Sequence, residues 1–519
     1  MALAAGATAA YALMIQCPFT MKDLIDLVQI VTRSKLRSVE LLSDTKKESS
    51  KLQEFYDHIV DGRLKSEEEA AMLLYKEDKK APAYQKLRKN LRDRLLNSLF
   101  VIDLKQSSYT DRQKAYYECY KEWAAAKILF GKNARHAALG LALKILKVSR
   151  HYEFTELNVD ICHTLRLYYG TIEGDYDRYQ KYSKYLQGFE ELWLVENKVE
   201  KYYIELSIGA VNSKGAKTDG RAQAEEYFAS LRPLLDTFDS YQLHLCAYLI
   251  EASIHSSVND YTTLMGVCDR AIRFFEKKEY TANIPLQVFY YQKAICELQL
   301  DHLDAGMSCL AKSRKYIEEG SFNWFKSHEL EAMILLRQKK YAAAQETLCL
   351  VMGHYNFETV PENIQAIWKT TEAYLYFLIP SGKPGRPRAA RPAFRLAKYV
   401  NEMQVFAKDK QGMNLHVIIV EILSYLSNKQ MDTLIERAEA LDKYRLRYLQ
   451  SDEVRRSNYF LKMMLQIPRC AFQKWEIIQR AAPDREALAA IPIKMANQTL
   501  EIEILPYEAI WEYALGSLD

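Results

Sequence analysis

From Lys22 onward, apolar residues recur three and four positions apart, the period that places them on one face of an α-helix. Leu24, Leu27, Val28, Val31 and Leu36 give the first stripe. Asp61-Gly62 breaks the next segment. Ser66-Glu67-Glu68-Glu69 then sets a Ser three residues ahead of a Glu before Ala70–Tyr75, as at a helix N-terminus whose first N–H groups need acceptors. Tyr84, Leu87, Leu91, Leu95 and Leu99 form another stripe. Lys86, Arg88, Lys89, Arg92 and Arg94 surround it and read as a solvated helix face. Residues 21–110 are predicted to be an N-terminal helical bundle.

Further along, one pattern recurs. A residue opens a helix, and small or apolar residues follow three, seven and ten positions later. It occurs at Tyr261/Leu264/Cys268/Ala271, Leu303/Gly306/Leu310/Ser313, Tyr341/Ala344/Leu348/Val351, Met431/Leu434/Ala438/Leu441 and Ala390/Ala393/Ala397/Val400. Looser copies open at Arg135, Tyr176 and Arg221, so the openers are spaced 38 to 49 residues apart. A second marker runs in phase: Ala252, Ala294 and Ala332 each lie nine residues before an opener, and Ala373 follows 41 residues after Ala332. Small residues at fixed points let two antiparallel helices approach closely. One such hairpin cannot bury its apolar face alone, so neighbours must stack. The predicted organisation is an extension at 1–20, the bundle at 21–110, helical repeats at 111–455 and a C-terminal capping segment at 456–519.

At these residues the chain resembles the tetratricopeptide-repeat (TPR) family. Tyr248 precedes Ala252 and Tyr290 precedes Ala294 by four, His328 takes that place before Ala332, and Tyr341–Ala344 matches the second-helix motif. The likeness is best over 246–352, weaker over 120–245 and 365–450, and not seen in 1–110 or after about 455. The units are nearer 42 residues than the family's 34, and most lack its closing Pro. The resemblance implies an all-α fold, a right-handed α-solenoid of TPR-like hairpins, whose first helices line a groove holding peptides or segments of other proteins. It also implies that Lys326, Glu329, Met333 and Arg337 face that groove, with Tyr291, Ile295 and Gln299 in the preceding unit. Tyr291, Gln299, Lys326, Glu329 and Arg337 are the candidate partner-binding residues.

Composition agrees with an all-helical chain. Of 519 residues, 18 are Gly and 13 Pro, about half the usual share, and sheets need the turns those residues make. Nine scattered Cys without a CxxC point to a reducing, cytoplasmic setting and against a Cys-type zinc site. No run of 18 apolar residues exists beyond residue 20, so no internal membrane span is expected. MALAAGATAAYALMIQCPFT has no Lys or Arg ahead of its apolar run. It reads as an upstream mis-assigned start or frayed extension in preference to a signal peptide.

Catalytic chemistry is not assembled. His328-Glu329 begins a metal-binding HExxH pair, but Ala332 stands where the second His belongs. Gly131-Lys132 lacks the rest of a phosphate loop. No catalytic residue, metal or cofactor is expected. One segment differs: 379–397 carries four Pro before Phe394, together with Lys383, Arg386, Arg388, Arg391 and Arg395. Residues 383–480 hold 19 Lys+Arg against 10 Asp+Glu, whereas the whole chain is only +4.

Three functional readings follow: a non-catalytic protein-binding scaffold, a nucleic-acid-associated factor using Lys383, Arg386, Arg388 and Arg391 against phosphates, and a peptide-sensing regulatory receptor. The Tyr content, 36 residues, favours the first, because Tyr gives large amphipathic contact at low entropic cost. Thr499–Ile504 alternates like a strand, and Tyr507, Ile510, Trp511 and Ala514 follow at helical spacing, with Trp511 expected to cover the last hairpin.

Overall fold

The computed structural model describes residues 20–33, 48–100, 110–212, 217–379, 394–404, 412–451, 454–491, 493 and 503–518. Among them there are 22 α-helices and no strand. The chain divides into two compact units, residues 1–157 and 158–519.

In the first unit, α1 (Met21–Arg33), α2 (Glu48–Val60), α3 (Glu67–Tyr75) and α4 (Pro82–Leu99) share one buried cluster built on Leu24, Val28, Phe55, Tyr84 and Leu91. Local chemistry sets the ends. Thr20 and Asp23 bond each other at the start of α1. Gly62 turns the chain at φ +69 after α2. Ser66 accepts from the Glu69 N–H at the start of α3. Then α5 (Asp111–Gly131) packs on α6 (Arg135–His151). Thr110 and Gln113 close a reciprocal capping box at the start of α5. Helix α7 (Thr155–Tyr168) spans the division between the units.

The second unit continues with α8 (Tyr176–Asn212), α9 (Lys217–Thr237), α10 (Tyr241–Ser257), α11 (Tyr261–Glu276), α12 (Asn283–Gln299), α13 (Leu303–Arg314), α14 (Phe322–Arg337) and α15 (Tyr341–Met352). Successive helices pack as neighbours: α9 on α10, α10 on α11, α11 on α12, α12 on α13 and α14 on α15. After them come α16 (Glu362–Leu378), α17 (Leu396–Glu402), α18 (Met413–Ser427), α19 (Met431–Tyr448), α20 (Arg455–Arg469), α21 (Lys474–Ala489) and α22 (Tyr507–Gly516).

The sequence-predicted openers Arg135, Tyr261, Leu303, Tyr341 and Met431 are each the first residue of a helix. The same turn precedes all five. Asn133, Asn259, Asp301, Lys339 and Lys429 sit at φ +55 to +63. The residue after each donates its N–H to the carbonyl five positions back, at 2.8 to 3.0 Å. This hydrogen bond closes the end of the first helix and fixes the angle at which the second returns. The predicted inward register follows: Leu264, Cys268, Ala271, Leu310, Ala344, Leu348 and Val351 are buried. At Gly306 a Cβ would lie 3.5 Å from the Ala294 carbonyl oxygen, in ordinary van der Waals contact, so α13 and α12 approach closely at a position that a small residue fills.

One expectation is corrected, one falls partly outside the described residues and one is extended. The opener at Tyr176 begins one continuous 37-residue helix, α8, where the spacing predicts a hairpin, and Tyr179 is exposed. That segment holds no Pro, and its Gly188 and Gly209 stand among good helix formers, so nothing stops propagation. Near the opener at Ala390, which with Ala393 and the basic residues Lys383, Arg386, Arg388 and Arg391 lies outside the described residues, α17 buries Tyr399 and leaves Ala397 exposed. Finally, α22 does more than cover the last hairpin. Tyr507, Ala509, Ile510, Trp511 and Ala514 are buried in a cluster running back to Trp324. The strand-like stretch lies mostly outside the described residues; its last residue, Ile504, is in a bend.

Arg456 holds the C-terminal segment in place. Its guanidinium meets Glu503 in a two-point contact at 2.8 and 2.9 Å, reaches both oxygens of Glu508 at 2.9 Å, and bonds the Leu488 and Ile491 carbonyls at 2.8 and 2.6 Å. Every donor of a nearly inaccessible charge is used, which offsets its desolvation. Glu503 also accepts the Tyr507 N–H, capping α22, and Tyr507 stacks on Phe460 at 4.4 Å. From there α22 reaches Lys339 through Glu512, Phe377 through Tyr513 and Lys429 through the Ser517 carbonyl.

Candidate functional site

The residues singled out for partner binding lie on α12 and α14. Ser321 caps α14 by accepting from the Trp324 N–H, which starts the helix so that Lys326 and Glu329 fall one turn apart. Lys326 Nζ meets Glu329 Oε1 at 2.6 Å. Tyr291, from α12, donates its hydroxyl to the Lys326 carbonyl at 3.5 Å. Burial pushes the Tyr291 phenol up, and the Glu329 charge adds to the shift. Arg337 lies about 12 Å further along α14, and its Nη1 donates to the Leu298 carbonyl at 2.8 Å, beside Gln299. Burial pulls the Arg337 guanidinium below its usual range; Glu503 and Asp301 oppose the shift and Arg456 adds to it.

The structure therefore brings Tyr291, Lys326 and Glu329 together and sets Arg337 next to Gln299, two turns away. It does not leave them as an open row of side chains. Glu329 is buried, and Tyr291, Gln299, Lys326 and Arg337 are half-buried. Ile295 and Met333 pack against Ala294, Leu298, Leu330 and Ile334. Neighbouring helices cover what a single helix would expose, and the Lys326–Glu329 pair spends its charge internally. Two polar atoms on this face nonetheless lack a hydrogen-bond partner among the described residues: Glu329 Oε2 and Arg337 Nη2. Such groups ordinarily find a partner.

A larger polar cluster behind this face is not visible in the sequence. Arg314 grips Glu331 with two bonds at 2.9 and 2.8 Å and donates to Ser327 Oγ at 2.6 Å. His328 Nδ1 lies 2.9 Å from Glu331 Oε2. Burial alone would raise the Glu331 carboxyl; the hydrogen bonds from His328 and Arg314, and their charges, outweigh it and hold the group down at about 2. His328 and Glu331 are one turn apart and could have been paired from spacing. Arg314 is 17 residues away on another helix, with no signal linking it to them.

Among the described residues no group of three or more His, Cys, Asp or Glu is placed to hold a metal, and no helix is long and apolar enough to cross a membrane. The chain matches no family model, no curated protein and no solved structure.

Proposed function

We propose that this protein is a non-catalytic scaffold. In this reading residues 111–455 form a right-handed α-solenoid of TPR-like hairpins after an N-terminal helical bundle, and the first-helix face of α12 and α14 holds a peptide or protein segment. The observation that carries it is the turn shared by the hairpins at Asn133, Asn259, Asp301, Lys339 and Lys429. One turn geometry reused between paired helices, with Asn259, Asp301 and Lys339 spaced 42 and 38 residues apart, is how a chain builds an extended surface from units that cannot fold alone. Tyr291, Gln299, Lys326, Glu329 and Arg337 supply the contacts. Glu329 Oε2 and Arg337 Nη2, both without a hydrogen-bond partner among the described residues, would take a donor and an acceptor from a segment that displaces the side chains covering them. A reducing cytoplasmic setting accords with the eight cysteines among the described residues being free thiols, seven of them buried.

The test is affinity capture from the source cell with the wild type and with Lys326→Glu/Arg337→Glu, both checked for helicity by circular dichroism. A protein retained by the wild type and lost by the variant is the expected result. Equal retention would refute this site, and no retained protein would refute the reading.

A further inference from the structure

The first helices α10, α12, α14, α16, α18 and α20 together expose two large apolar side chains, Ile284 and Phe322. Helix α8 alone exposes seven: Tyr176, Tyr179, Trp193, Leu194, Tyr203, Ile204 and Ile208. At 100° per residue, six of these seven, all but Tyr203, fall within an arc of about 100°. Leu194 is 63% and Ile208 55% exposed. The cause is the fusion described above. Were α8 two helices joined by a turn, its front half would fold back over the rear half. As one rod about 55 Å long, it carries two exposed patches on that arc, Tyr176/Tyr179 and Trp193/Leu194/Ile204/Ile208, separated by Leu186, which the chain's own packing buries. The rear patch, four large apolar side chains exposed on a helix otherwise fitted to its neighbours, marks a contact surface.

The charges on the same arc identify the occupant. Glu190 and Lys201 both lie within it, 11 residues or about 16 Å apart. A two-fold axis at the level of Val195 and Glu196, perpendicular to the helix, lays a second α8 antiparallel on the first. It sets each Glu190 opposite the other copy's Lys201. Trp193 and Leu194 then meet near the axis, and Ile204 and Ile208 meet the smaller Ser183 and Gln187 of the other copy. Asn197, the polar residue of the arc nearest the centre, donates its Nδ2 to its own Trp193 carbonyl at 2.9 Å, which pairs that donor within the helix. One surface carrying both members of an ion pair about a common centre is self-complementary, the requirement of a two-fold interface. We propose that the rear patch of α8 is a homodimer interface, a second copy of this chain lying antiparallel across Trp193, Leu194, Ile204 and Ile208.

Sedimentation equilibrium of the full chain, from low micromolar to about 100 μM, the range expected of a small interface, reads this directly. The wild type should dimerise. Ile204→Asp should weaken self-association by about tenfold or more with circular dichroism unchanged, since its side chain is exposed. Glu190→Lys should weaken it and Glu190→Lys/Lys201→Glu should restore it, a reciprocal rescue that neither a structural role nor binding of an unrelated protein would give. A wild type monomeric throughout, or a dimer indifferent to these substitutions, overturns the proposal. Neither result bears on the α12–α14 site, which is tested separately.

Discussion

Glu331 is a half-buried carboxylate held ionised by a bidentate arginine and a histidine. Its folded-state acidity, about 2 against 4.5 for the free side chain, makes it a source of stability with a defined sign. The folded state binds the proton less tightly than the unfolded chain does. The contribution is therefore complete above pH 4.5 and is lost as the pH falls from there towards 2. At about 1.36 kcal/mol per pH unit it amounts to about 3 kcal/mol. Unfolding free energies measured from pH 7 to pH 2.5 should fall less steeply below pH 4.5 in Glu331→Gln than in the wild type. Parallel curves would mean that the pairing adds nothing. Arg456 makes the opposite kind of prediction, one about truncation. Arg456→Ala leaves Glu503 buried without its counter-charge and should cost about 3–5 kcal/mol in urea unfolding. Arg456→Lys should recover little, because an ammonium cannot replace the two-point contact with Glu503 and also reach Glu508 and two carbonyls.

At the scale of elements, helix starts were legible and helix ends, apart from the one at Gly62, were not. Tyr261, Leu303, Tyr341 and Met431 were found as openers because each begins a fixed register of buried positions. The turns before them were invisible. A left-handed residue after a helix is usually Gly, and here it is Asn133, Asn259, Asp301, Lys339 or Lys429. The chain saves glycine at its turns, so low glycine content spoke for helix while hiding where the helices stop. The continuity of α8 was illegible for a related reason, since a break is signalled only by residues that enforce one. The candidate site was read halfway. The TPR resemblance implied one face for Lys326, Glu329 and Arg337, whereas Tyr291 and the Leu298 carbonyl of α12 cover that face, and Glu503, more than 150 positions along the chain, lies near Arg337. The turn geometry is testable at Asp301, which is exposed at φ +63. Asp301→Gly should stabilise by about 0.5–1 kcal/mol, and Asp301→Val should destabilise by about 1–2 kcal/mol, both read as shifts in the urea midpoint.

For the whole molecule, the claim is that hairpins are interchangeable modules, each burying its neighbour's apolar face. Their equivalence extends to the backbone at the junctions: Asp260 sits at φ −81, ψ 75 and His302 at φ −88, ψ 63, each just before an opener. Excising Tyr261–His302 would join Asp260 to Leu303 and leave that turn geometry intact. The account predicts a shortened protein with the same helicity per residue by circular dichroism and a cooperative urea transition. Loss of helix, or a chain that collapses without a cooperative transition, would contradict it.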